Sequence, residues 1–423
     1  MLLQKGDSKH RLNSPFITSP HSPTVVSLHL VKILGLISLS VFVVLFLIFH
    51  DTRYSWYDIS TTNANAARDE ELRLASAKEY LSSLPAPSPF LLPPAFYSLC
   101  IFILSGQSRP QEYLTQTTAF LLSRMGSLPR NTRFAIVNAH KPGYDHNEAN
   151  ELGQYLTVVE PPRRNATTYW IGHDVWPDSV TWWQKGTYDF AATFDLAKEW
   201  KCPATVILED DAIVEENFPQ RVLSGIAPIL DDSCSWSYVK LFWTSYWSGF
   251  ELTPVDIAII SSLSISIGIL ATLITLERLR AKGKYNTPMY SDRVRNVAAI
   301  VFGYSSVLSV VVLLSVGKQN WTNMLFAEPV GLVESHARAA AVGQVYSSCA
   351  LAPMADFLYE HALDDRPVDL LFNDYIDSTG SKIYELHPNL VQHIGLYSSG
   401  KKNKGNAHAM KVSSTFKGDS VQL

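Results

Sequence analysis

The chain is poor in cysteine. Its 423 residues hold four, Cys100, Cys202, Cys234 and Cys349, and no spacing among them resembles a zinc site. It also lacks basic excess: 35 Lys and Arg stand against 39 Asp and Glu. With no basic face, no nucleic-acid partner is indicated. Two long apolar runs, 257–276 and 297–316, contain no charge at all. A charge at the centre of a membrane helix would cost about 2.5–3.5 kcal/mol. No ion pair lies inside these runs and no further spans are visible, so a transporter is poorly supported. No small-residue cleavage site follows the first apolar run at Phe49, and its polar leader is long, which excludes a cleavable signal.

What is present is three apolar runs: Ile33 to Phe49, extended by Val25 to Val31, then Ile257 to Leu276 and Val297 to Val316. Each approaches the roughly 20 residues that cross a bilayer. Buried core helices are the alternative, disfavoured by two adjacent uncharged runs of this length. Lys5, Lys9, Arg11 and Lys32 flank the first run, and Arg278, Arg280, Lys282, Lys284, Arg293 and Arg295 lie between the other two. Both basic groups belong in the cytosol. The chain then reads as a cytosolic tail (1–24), a signal anchor (25–50), a stem and Pro-rich linker (51–94), a lumenal domain in two parts (95–254 and 317–400), two spans (255–276 and 297–316) joined by a cytosolic basic loop (277–296), and a polar tail (401–423). Trp243, Tyr246, Trp247, Phe250 and Trp321 would form an aromatic belt at the lumenal interface. Asn165-Ala166-Thr167 is a lumenal glycosylation sequon; Asn320-Trp321-Thr322 is too close to a span to be used. The lumen permits disulfides, with three pairings of the four cysteines open, although Cys100 lies in an apolar strand-like run and reads equally as core.

Within the soluble parts, strand and helix patterns alternate. Strands are expected at 97–104, 133–138, 155–159, 204–208 and 238–243, with helices at 112–125, 188–200 and about 344–360. A further helix at 66–84 reads as a stem or membrane-hugging element. This alternation predicts an α/β domain with a largely parallel sheet. About 250 residues suit one sizeable domain into which the hairpin is inserted. In such sheets ligands bind beyond the carboxyl ends of strands, where Ser105 to Arg109 and Glu209-Asp210-Asp211 both fall.

The acid triplet follows the apolar run Val206-Ile207-Leu208. Burying carboxylates beside a core strand is costly unless cations pair with them. Clustered oxygens suit Mg2+ or Mn2+, which would hold a diphosphate. The bland alternative is a solvated acidic turn, as Asp231-Asp232 and Asp364-Asp365 appear by pattern. Arg109 is a candidate partner for uracil or phosphate, or a surface arginine before Pro110. Asp369 stands at an expected helix start, where it would serve equally as an N-cap.

The triplet, the segment Pro367-Val368-Asp369-Leu370-Leu371 leading to Asp374, and the run Pro388 to Ser399 containing Gln392-His393-Ile394-Gly395 together resemble the nucleotide-sugar glycosyltransferases of the GT-A fold. The last run is similar to the end of the catalytic domain in the N-acetylglucosaminyltransferase IV family. A catalytic domain split by two spans resembles the post-GPI-attachment GalNAc-transferase family over most of residues 90–400. That resemblance implies a GT-A-like, Rossmann-type lumenal domain in the Golgi membrane. It implies transfer of N-acetylgalactosamine from UDP-GalNAc to the first mannose of GPI anchors on GPI-anchored proteins, by a metal-dependent inverting reaction. Asp211 and His393 would then bind Mn2+ or Mg2+, with Glu209, Asp210 and Arg109 around the metal and nucleotide. The catalytic base would be Asp369, Asp374 or Glu251. N-glycan or glycolipid acceptors, and a non-catalytic glycan-binding or accessory role, are the alternatives.

Overall fold

The computed structural model describes residues 24–50, 63–85, 98–107, 109–125, 132–139, 146–162, 180–232, 234–242, 250, 254–281, 288–318, 320–321, 331–335, 341–396 and 420–423. Glu251, the Asn165 sequon, Lys282 and Lys284, and most of the aromatic belt and Pro-rich linker lie outside them. In chain order the elements are α1 (Thr24–Phe49), α2 (Asn63–Ser83), β1 (Leu99–Ser105), α3 (Tyr113–Ser123), β2 (Thr132–Asn138), α4 (Asn147–Leu152), β3 (Val158–Val159) and α5 (Trp182–Trp200). Next come β4 (Ala204–Glu209), β5 (Ala212–Val214), α6 (Phe218–Leu230), β6 (Trp236–Lys240), and the long helices α7 (Pro254–Ala281) and α8 (Pro288–Val316). The chain closes with β7 (Gly331–Glu334), β8 (Gly343–Ser347), α9 (Ser348–Glu360), α10 (Val368–Thr379), β9 (Lys382–His387) and β10 (Val391–His393).

An eight-stranded sheet has the order β3-β2-β1-β4-β8-β6-β9-β7. β1 runs parallel to β2 and β4, and β6 parallel to β9, while β8 lies antiparallel between β4 and β6. Six strands therefore point the same way, as a largely parallel sheet requires, and only β8 and the edge strand β7 oppose them. β8 and β9 come from beyond the long helices yet interleave with β4 and β6 from before them. The two sequence halves are thus one sheet.

Alternation along the strands builds two cores. Leu99, Ile101 and Ile103 face one side with Val206, Leu208, Phe218 and Val222. Cys100, Phe102 and Leu104 face the other with Ile207, Phe194, Leu351 and Phe372. Runs buried on both faces are why β1 and β4 read as continuous apolar stretches. Three details differ from the sequence pattern, the first being that the strand expected at 155–159 shortens to Val158–Val159. Residues 343–347 form a strand rather than the first turn of a helix, because Val345 and Tyr346 are buried in the sheet and Ser347 caps the following helix, its Oγ accepting from Ala350 N at 3.1 Å. α5 begins at Trp182, ahead of the expected start, because Thr181 and Gln184 form a capping box.

Cys100 is paired with Cys202, so it is not merely core, and Cys234 is paired with Cys349. The second bridge joins the segment before the long helices to the segment after them. The stem segment also has a partner: α2 packs on α3, with Ala77 and Leu81 inside the first core.

By internal contacts residues 1–44 form one unit and 45–423 another. Most of α1 lies in the first, a single apolar helix with Leu36, Leu39 and Val43 exposed. Three helical stretches are long and apolar enough to cross a membrane: Lys32–Phe49, Pro254–Ala281 and Val294–Val316. Their apolar side chains, such as Leu270 and Val307, are exposed rather than packed in protein, which excludes the core-helix alternative. α7 and α8 meet where a side chain at Gly268 would run into Ser306 and Phe302, the close approach that small residues permit. At the ends of this hairpin that adjoin the sheet, Lys318 Nζ pairs with Asp256 at 3.3 Å, and Asp256 is buried.

Lys318→Ala should lower the melting temperature of the detergent-solubilised protein. Its cost is on the order of 1–3 kcal/mol, that of depriving a buried polar group of a partner. The double variant Lys318→Met with Asp256→Asn should regain most of the loss, because removing both charges removes the penalty.

Candidate metal and nucleotide-sugar site

The site begins where β4 leaves the core. Val206 to Leu208 are buried; Glu209 ends the strand, and Asp210 and Asp211 turn the chain into the short strand β5. β5 pairs antiparallel with β10, placing His393 opposite Ala212. His393 Nε2 then lies 3.3 Å from Asp211 Oδ2, and Ile394 N donates to Asp211 O at 2.8 Å. One ligand atom from each of Glu209, Asp211 and His393 falls within 4.8 Å of the others. The Gln-His-Ile-Gly run has a steric reason for its glycine. A Cβ at Gly395 would stand 2.3 Å from Asp211 Oδ2 and 3.1 Å from His393 Cε1.

Arg109 closes the other side. Its Nη1 donates to Asp211 Oδ2 at 2.9 Å and its Nη2 pairs with Asp210. The guanidinium is buried and lies 4.5 Å over the Tyr113 ring, so the surface-arginine alternative does not hold. Asp210 is fixed from behind. Register pairs Leu104 with Glu209, which sets Ser105 beside Asp210, and Ser105 Oγ donates to Asp210 Oδ2 at 2.8 Å. His146 Nε2 lies 2.8 Å from Ser105 Oγ, while its Nδ1 accepts from Ala149 N at 3.3 Å. That pattern places the ring proton on Nε2, so a chain of donors runs from His146 through Ser105 to Asp210. Thr117 Oγ1 donates to Asp210 O at 2.8 Å and accepts from Ala212 N at 3.1 Å. Sequence reasoning located Ser105 at the strand end but had no signal for His146 or Thr117, which lie on separate segments.

The electrostatics divide the triplet. Burial pushes Glu209 up to about 8, helped by the Asp211 charge and opposed by His393 and Arg109. Burial also raises Asp210, although Arg109 offsets part of it. Burial would raise Asp211 as well, but His393 and Arg109 outweigh it and hold this carboxyl well below the usual range. Asp211 is therefore the carboxyl of the group whose charge its neighbours favour most. Its Oδ1 is buried and accepts no hydrogen bond among the described residues. An orphaned carboxylate oxygen beside a second carboxylate and an imidazole fits a divalent ion such as Mn2+.

The other expected site residues lie elsewhere. Asp369 is in the first turn of α10, where its own Oδ1 accepts from Leu370 N at 3.0 Å. Asp374, further along, pairs with Arg366 at 2.5 Å. Neither belongs to the group formed by Glu209, Asp211 and His393.

Gly395→Ala should weaken Mn2+ binding at least tenfold, read by Mn2+ electron paramagnetic resonance, while the protein stays folded. The crowding costs about 1–3 kcal/mol. A second expectation concerns pH. Burial raises Glu148 to about 7 from 4.5, partly opposed by the bond its Oε1 accepts from Thr115 N at 2.6 Å. The folded state thus holds this proton where the unfolded chain has lost it, so stability falls as pH rises from about 4.5 to 7. Glu148→Gln should flatten that part of the stability–pH curve, a change of roughly 3 kcal/mol at most.

A family model described as GPI-N-acetylgalactosamine transferase PGAP4 matches residues 99–392. The match opens on the first residue of β1 and spans the acid triplet, both long helices and β9, ending one residue before His393. No curated protein matches the chain. With most of its length covered, including both halves of the interrupted sheet, the chain belongs to the GPI-N-acetylgalactosamine transferase family.

Proposed function

We propose that this glycosyltransferase moves N-acetylgalactosamine from UDP-GalNAc to the first mannose of GPI anchors in the lumen of the Golgi. In this reading a divalent ion, Mn2+ or Mg2+, is held by Asp211 and His393 with Glu209 beside them. The observation that carries it is the convergence of Glu209, Asp211 and His393, with Asp211 Oδ1 buried and accepting no bond. Such an ion, when bound, neutralises charge on the diphosphate as it leaves. Arg109, already aimed at the acids, would offer a planar donor pair to the same diphosphate.

The transfer is an inverting single displacement. The acceptor hydroxyl oxygen forms a bond to C1 of the sugar, the bond from C1 to the diphosphate oxygen breaks, and UDP departs with that electron pair. The hydroxyl proton goes to a carboxylate. Of Asp369 and Asp374, position favours Asp369; Glu251 lies outside the described residues. α10 leads through Gly380 into β9, so it runs opposite to that strand and its first turn lies toward the carboxyl end of the sheet. Asp374 is about 7 Å further from that end along the helix and is engaged by Arg366.

The hairpin has a role in this reading. A GPI anchor keeps its mannose close to the bilayer. A sheet interleaved from both sides of α7 and α8 is held at that surface, which raises the effective acceptor concentration. The anchor helix and the basic residues Arg278, Arg280 and Arg295 support a cytosolic N-terminus and a lumenal catalytic domain.

The test is mass spectrometry of GPI glycans from cells whose only copy is Asp211→Ala. Loss of the side-chain N-acetylgalactosamine is expected; wild-type levels would refute the metal-site reading. For the base, Asp369→Asn should lower kcat by a factor of about 100 or more with little change in KM for UDP-GalNAc, and an unchanged kcat would exclude Asp369. Joining the soluble halves by a short linker in place of α7 and α8 should impair transfer to membrane-held acceptors far more than donor binding. Full activity on membranes would rule out an orienting role for the hairpin.

A further inference from the structure

The hydroxyl of Tyr113 joins three distant parts of the chain. It donates to Glu70 Oε2 on α2 at 3.0 Å and accepts from Leu396 N, just after β10, at 3.0 Å. Its ring carries the Arg109 guanidinium at 4.5 Å, and Arg109 reaches Asp210 and Asp211. Tyr113 is fully buried and Glu70 nearly so. A buried carboxylate is costly to keep unless it is bonded, and burial does raise Glu70 above its usual range. On α2 this acid also faces the buried Arg73, whose charge it partly offsets, while its hydrogen bond among the described residues comes from the tyrosine hydroxyl. The acid stands where it aims the tyrosine hydroxyl.

Each end of this arrangement bears on a different part of the metal site. Through its ring, Tyr113 sets the height of Arg109 and hence the approach to Asp211 Oδ2. Through its oxygen, it holds Leu396 N, three residues beyond His393, with Gly395 in contact with Asp211 between them. α2 is itself clasped from outside: Arg73 Nε donates to Ser420 O at 2.8 Å, Leu423 N donates to Ser76 Oγ at 2.8 Å, and Lys78 pairs with Glu112 at 2.8 Å.

We propose that Tyr113, aimed by Glu70 from the stem helix, is a positioning residue. It sets the spacing between Arg109 with the acids on one side and the His393 strand on the other, and so sets divalent-ion affinity. The stem helix is thereby part of the metal site's support rather than a spacer between membrane and catalytic domain. This inference rests on the metal-site reading given above. Groups that orient metal ligands typically contribute about 10- to 100-fold in metal affinity.

The test uses the full-length protein in detergent and measures Mn2+ binding alone by electron paramagnetic resonance, alongside the kinetics of transfer from UDP-GalNAc. Tyr113→Phe keeps the ring under Arg109 and removes both hydrogen bonds. It should weaken Mn2+ binding at least tenfold and raise KM for the nucleotide sugar more than it lowers kcat. Glu70→Gln keeps an acceptor for the tyrosine and should bind Mn2+ within about threefold of wild type, whereas Glu70→Ala should follow Tyr113→Phe. Wild-type Mn2+ affinity in Tyr113→Phe overturns the proposal. If that variant does not fold, equal Mn2+ binding by Glu70→Ala and wild type overturns it. Asp211→Ala separates the two readings. If it leaves Mn2+ binding intact, the metal site itself is wrong; if it abolishes binding while Tyr113→Phe and Glu70→Ala do not, only the positioning role fails.

Discussion

The antiparallel pairing of β5 with β10 is the contact on which the site depends. Three residues on each side suffice to bring His393 opposite Ala212, and with it the imidazole to Asp211. These residues are about 180 positions apart, and between them the chain passes through two membrane-length helices. So short a ladder holds only because its flanks are held. Leu390 N donates to Leu241 O and Glu215 N donates to Leu390 O on the approach to β10, and Ile394 N donates to Asp211 O on its exit. The backbone bonds close the site first, and the side chains that would carry chemistry follow from them.

That closure concentrates charge at a buried edge, and the surroundings are arranged to bear it. Arg109 and His393 favour ionised Asp211, while burial works against ionisation of Glu209 and Asp210. Asp210 is held by Ser105, with Thr117 on its carbonyl, which leaves Asp211 as the carboxylate facing the gap at Gly395. A triplet of acids on one strand end therefore does not act as three equivalent ligands. The neighbours favour the charge on Asp211, strut Asp210 from behind, and leave Glu209 the carboxyl that burial raises most clearly.

The insertion of the hairpin imposes a second constraint. Because β8 lies between β4 and β6, and β9 beyond β6, the sheet cannot be completed until the chain has returned from α8. The Cys234–Cys349 bridge and the Lys318–Asp256 pair both tie the two sides of this interruption. In a GPI-N-acetylgalactosamine transferase, whose acceptor is anchored in lipid, the sheet and the two long helices α7 and α8 belong to one compact unit.

The sequence by itself determined the elements whose signal is local. Continuous apolar runs in β1 and β4 marked strands buried on both faces, uncharged runs marked helices long and apolar enough to cross a membrane, and the triplet after Leu208 marked an acidic strand end. It did not determine β8, since Gly343 to Ser347 carries its strand character only when Val345 and Tyr346 have sheet neighbours on both sides. Nor did it determine the disulfide pairing, the burial of Arg109, the joining of α2 to the core, or the roles of His146, Thr117 and Tyr113. Those depend on which distant residues share an edge of the sheet. Strand register sets that, and register arises from packing of the whole chain rather than from any segment of it.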